Sequence, residues 1–108
     1  MSTSCTVKFA PYGGTVYKHW DGYPSEMEPL LERFFDTVEE ETQDTRFNDA
    51  PYLAARFVVF LANEYRREGA GQMDFLSVGI TDGTNQGEEY TYTVKCVGGG
   101  KRPEVSVY

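Results

Sequence analysis

The chain has 108 residues, 40% of them hydrophobic and 25% charged, and a net charge of −7. That length makes one domain over 1–108, able to bury about two-thirds of its unfolded surface, and the composition is that of a globular chain and argues against disorder. The negative charge argues against direct contact with DNA, RNA or an anionic membrane, because phosphate binding needs clustered Lys and Arg to displace counterions.

CTVKFA at 5–10 alternates and is rich in β-formers. PYGG at 11–14 reads as a turn and TVYKHW at 15–20 as a second strand, so the pair predicts a hairpin. Alternation puts Tyr17, His19 and Asp21 on one face of that strand and Val16, Lys18 and Trp20 on the other. Tyr17/His19 and Val16/Trp20 are both acceptable inward sets. DGYP breaks the strand. Ser25 and Glu28 then fit a capping box, in which hydroxyl and carboxylate each satisfy a free backbone N–H. Met27, Leu30, Leu31, Phe34, Phe35 and Val38 form one stripe, which predicts an amphipathic helix over 25–42.

TQDTRFND at 42–49 is a polar connection. Asp49 is placed to cap a second helix, with Pro51 in its first turn and Gly69 as its stop. Leu53, Ala54, Phe57, Val58, Leu61 and Tyr65 are its stripe, with Arg66, Arg67 and Glu68 in its last turn. Val59, Phe60 and Ala62 add apolar surface off that stripe. Such a helix is either buried on two sides or covered by a partner, for which a second copy of the chain is one candidate.

The last third reads as β. Leu76, Val78 and Ile80 share a face of one strand, and DGTNQGE at 82–88 joins it to the next. There Tyr90, Tyr92, Val94 and Cys96 alternate with Thr91, Thr93 and Lys95, so one face is buried and one is wet. GGGKRP at 98–103 is a flexible basic connection, and EVSVY closes the chain as a strand with Val105 and Val107 inward. The order ββααβββ predicts an α+β fold: an antiparallel sheet of about five strands with two helices on one face, in which the terminal segments could pair either way.

Neither Cys5 nor Cys96 sits in a CxxC pattern or beside a histidine, so no metal site is expected and both read as free, buried thiols. MSTSC shows no secretory leader, and FVVFLA at 57–62 is too short to span a bilayer, so a cytoplasmic setting is the expectation. GGGK at 98–101 lacks the P-loop pattern and the helix that must follow it; no cofactor is expected.

Two clusters remain as candidate sites. HWDGYP at 19–24 holds the only His and the only Trp. His19 and Asp21 could form a carboxylate-oriented base, the catalytic alternative, as in a small enzyme or a metal-dependent hydrolase. No nucleophile motif accompanies them, and nothing marks Asp74 or Asp82 as metal partners. The structural reading is a corner in which Asp21-Gly22 turns, Pro24 stiffens the helix entry, and Trp20 and Tyr23 pack strand against helix. The second cluster is acidic. Residues 26–49 carry nine acids against Arg33 and Arg46, a net −7, while the rest of the chain balances. Glu32, Asp36, Glu39, Glu40, Glu41 and Asp44 read either as a solvated face or as a surface shaped for a basic groove, a DNA mimic or a plug for a nucleic-acid channel. The tyrosines are dispersed, and Tyr12 and Tyr108 are the ones expected to be exposed as contact anchors.

V-Y-x-H-W-D-G-Y-P at 16–24, the helix after it and the late strand Glu89, Tyr90, Tyr92, Val94 resemble a family of small proteins common in phages, prophages and some archaeal and bacterial genomes. The resemblance covers the motif, both helices and that strand, and no functional residue carries over from it. It implies a mobile-element origin. Small proteins of such origin are often inhibitors of host defence, anti-CRISPR proteins included, which implies a partner with a basic, nucleic-acid-handling surface such as a CRISPR effector.

Overall fold

The computed structural model describes residues 3–42, 47–67, 78–83 and 87–108. Strands β1 (Cys5–Ala10) and β2 (Thr15–Lys18) precede helices α1 (Pro24–Glu41) and α2 (Ala50–Arg67). Strands β3 (Val78–Thr81), β4 (Tyr90–Lys95) and β5 (Glu104–Val107) follow. The fold is α+β, in the expected element order. Asp44, Asp74, Leu76, the helix stop around Glu68 and Gly69, and the side chains of Tyr65, Arg66 and Arg67 lie outside the described residues.

The five strands form one sheet in the order β3-β2-β1-β4-β5. It is mixed, a correction to the antiparallel expectation: β1 pairs with β4 in parallel, while β1–β2, β2–β3 and β4–β5 are antiparallel. The reason lies in the 82–88 connection. It does not close a hairpin, because β3 adds to the far side of β2, and the chain then crosses to the free side of β1. Asp82, Gly83 and Glu88 line a hollow above Thr6, Lys8 and Thr15, on the sheet face away from the helices. Glu88 accepts a hydrogen bond from the Thr6 hydroxyl at 3.3 Å.

The two faces follow the pleat. Cys5, Val7 and Phe9 of β1, Val16 of β2, and Tyr92 and Val94 of β4 are buried against the helices. This settles the orientation of β2: Val16 and Lys18 point to the helices, Tyr17 to the other face. Phe34 of α1 and Phe57 of α2 meet ring to ring at 5.2 Å, and both pack on Phe9. Phe60 lies against Phe34 at 5.5 Å and is buried. The extra apolar side of α2 is thus largely filled by α1, and Val59 is the part left exposed. Ile80 shares the face of Val16 but is 72% exposed, since β3 is an outer strand.

Helix starts differ between α1 and α2. Asp49 caps α2 as expected, accepting the Tyr52 N–H on its side chain at 3.2 Å and the Leu53 N–H on its carbonyl at 2.9 Å. The capping box at Ser25 and Glu28 does not form, because α1 begins one residue earlier. Pro24 takes the first helical position, where its fixed φ fits and its missing N–H leaves nothing unsatisfied. Tyr23 becomes the cap residue, and its carbonyl accepts the N–H groups of Glu26 and Met27, both at 3.0 Å.

Candidate interaction surfaces

All seven acids of α1 are exposed: Glu26, Glu28, Glu32, Asp36, Glu39, Glu40 and Glu41. The apolar stripe turned to the sheet leaves them no other side. Arg33, the only base on α1, leaves this surface for α2, where its Nε and Nη2 donate to Glu64 at 3.0 and 2.8 Å.

Glu32, Asp36 and Glu39 stand at i, i+4 and i+7, so their carboxylates line up along one edge of α1. Arg102 meets all three. Its Nη1 donates to Glu32 at 3.2 Å, its Nη2 to Asp36 at 2.6 Å and its Nε to Glu39 at 2.5 Å. Glu41 pairs with Arg56 of α2. Glu40 has no ion pair among the described residues. Asp44, the sixth expected member, lies outside them.

The clamp was missed in the sequence. GGGKRP reads as slack, yet Gly98, Gly99 and Gly100 take left-handed conformations that fold it back, Pro103 is buried, and Arg102 is delivered to α1. The only sequence signal is a base-rich loop in a chain whose excess charge lies elsewhere.

Hydrogen bonding to Arg102 holds the Glu39 carboxyl below its ordinary value of 4.5, against a smaller opposing effect of burial. A depressed carboxyl stabilises the fold above its unfolded-state value, and that contribution is lost as pH falls through the folded one. The Tm deficit of Arg102→Ala relative to the native chain is therefore expected to be largest at about pH 6–7 and to shrink as pH falls below the ordinary carboxyl value of 4.5. Thermal melts of both proteins across that range check it; a deficit that does not change with pH would exclude the clamp.

The HWDGYP corner distributes its polar groups. The Tyr17 hydroxyl lies 2.9 Å from Nδ1 of His19, and the Trp20 ring meets the His19 ring edge-on at 5.0 Å. Asp21, with φ of 53°, lines a narrow cleft on the helix side with Lys18, Glu26, Arg33 and Glu64. The strand ends at Lys18, so alternation does not carry on to Asp21. Lys18 is only 3% exposed, and its ammonium donates to the Trp20 carbonyl. Gly22 is pressed onto β1: its N–H donates to the Thr3 carbonyl at 2.8 Å, and its carbonyl accepts the buried Tyr92 hydroxyl at 2.7 Å. Burial pushes the nearby Cys5 thiol up to about 12, so it is no nucleophile at neutral pH.

A third surface lies between α1 and β5. Val105 and Val107 face the helix side, as expected, but α1 does not cover them and each stays 41% exposed. They line a groove of about 510 Å³ with Leu31, Pro29, Glu28 and Glu32. Tyr12 and Tyr108 are exposed as expected. Among the described residues no three His, Cys, Asp or Glu side chains cluster as a metal ion would require, and no helix is long and apolar enough to cross a membrane.

Compared with protein-family models, curated proteins and solved structures, the chain matches none.

Proposed function

We propose that the chain is a small mobile-element protein that works by binding another protein, one with a basic surface of the kind nucleic-acid-handling defence complexes carry. A CRISPR effector is the leading example. The observation behind this reading is the exposed acidic surface of α1. Its seven carboxylates, set against the guanidinium groups of Arg56 and Arg102 that reach them, leave a net −5 on that surface. Arg102 neutralises one charge but also holds three carboxylates at fixed spacing. Their ordering cost is then met before a partner arrives. A fixed row of negative charge steers a basic partner into fast encounter.

The test is capture of partners from bacterial lysate by the tagged protein, identified by mass spectrometry at low and high salt. A nucleic-acid-binding complex held at low salt and shed at high salt is the expected result, because exposed charge pairs are screened within about 10 Å at 0.1 M salt. Reversing Glu32, Asp36, Glu39, Glu40, Glu41 and Asp44 to lysine is expected to abolish capture. Glu40→Lys alone, which leaves the Arg102 cluster intact, is expected to weaken it several-fold. Capture unchanged by full reversal rules out the acidic surface.

A further inference from the structure

β5 is an outer strand of the sheet, and its pairing decides what it offers. Tyr108 and Thr91 exchange both backbone hydrogen bonds, at 3.0 and 3.4 Å. In an antiparallel ladder such bonded pairs alternate with unbonded ones. Thr93–Ser106 and Lys95–Glu104 are then the next bonded pairs, and the N–H and C=O groups of Val105 and Val107 point away from β4 to the open edge. The side chains of these same two residues project into the groove beneath α1. β5 carries neither of the usual guards of an open edge, lysine or proline.

We propose that the β5 edge is a strand-addition site for an extended segment of a partner protein with alternating apolar and basic side chains. The inference goes beyond the acidic-surface reading: it shares Glu28 and Glu32 with that surface, but its backbone contacts lie on β5 rather than α1, so a change confined to β5 tests it separately. An added strand would pair with Val105 and Val107 through its main chain. Its apolar side chains would cover Val105, Val107 and Leu31. Arginine stems would lie along the valines and carry their guanidinium groups to Glu28 and Glu32 on the opposite wall. A second copy of the chain is a poor occupant. Edge pairing would bring together two chains of −7 each, with no basic residue on β5 to offset the repulsion.

The probe is a fluorescein-labelled peptide, Thr-Val-Thr-Arg-Thr-Val-Thr-Arg-Thr, whose valines and arginines share one face when extended. Anisotropy titration is expected to show saturable binding, at least about tenfold tighter than for the same peptide with Glu in place of Arg. Val107→Pro removes an outward N–H while leaving the bonds to β4, which run through Glu104, Ser106 and Tyr108. It is expected to weaken binding at least about tenfold with the circular dichroism unchanged. Should that variant fail to fold, amide hydrogen exchange of the native chain answers the same question: the peptide is expected to slow exchange at Val105 and Val107. No protection there at millimolar peptide overturns the proposal. So does protection of these amides without peptide, accompanied by dimer in sedimentation, which would give the edge to a second copy.

Discussion

Phe57→Ala is expected to lower the unfolding free energy by about 3–5 kcal/mol, the usual cost of emptying a buried phenylalanine site. Phe57 is fully buried, and its ring touches Phe9 of β1 at 5.6 Å and Phe34 of α1 at 5.2 Å. It is where sheet and both helices meet, so no single neighbour can close the hole. The lining rings are rigid, which keeps the cost toward the upper end. In a chain of this size the change corresponds to a Tm drop on the order of 15 °C. Urea unfolding checks it, with a lower midpoint and an unchanged slope. A loss below about 1 kcal/mol would mean that Phe9 and Phe34 repack freely into the space.

Gly22→Ala is expected to cost about 2–3 kcal/mol, from crowding rather than a cavity. A Cβ there would lie 2.8 Å from the Ser4 carbonyl carbon and from the Cys5 Cβ, and 2.9 Å from the Cys5 nitrogen. Two of those atoms are backbone and cannot rotate aside. Retreat would break the bond from Gly22 N–H to Thr3 and the bond from Tyr92 to the Gly22 carbonyl. Losing the second leaves a buried hydroxyl or carbonyl unpaired, which itself costs about 1–3 kcal/mol. Thermal and urea melts measure the loss. A melt within about 0.5 kcal/mol of the native chain would show that the corner yields easily and is not what fixes the α1 entry.

Both helices were legible because their signals are local. The stripes of α1 and α2, and Asp49 before Pro51, all act within a few turns of chain. The Ser25 capping box is equally local but loses to Pro24, whose fixed ring geometry suits the first helical position. The sheet was legible strand by strand and not in its pairing. Alternation says which side chains share a face; it does not say which strand lies beside which, and the parallel β1–β4 contact joins residues 85 apart. The candidate surfaces divide the same way. The acids of α1 stand out in composition, whereas Arg102 reaches Asp36 across 66 positions through a glycine turn that reads as slack. His19 and Asp21 share a face only in a strand that runs through both; this one stops at Lys18, and Asp21 turns toward the cleft on the helix side.

The middle of the sheet is built from two segments that lie far apart in the chain. β1 leaves the ribosome well before β4, because the partner it needs on its second side lies 85 residues further along the chain. Until then the nascent protein holds β1, β2 and both helices with a sheet edge open at its centre. Contacts this distant in sequence slow folding, because the loop must close before they repay it. The native state should therefore form late, only once β4 has been made. A chain truncated before Tyr90 should show helical content without the fixed core, and should be the form most prone to join other open edges.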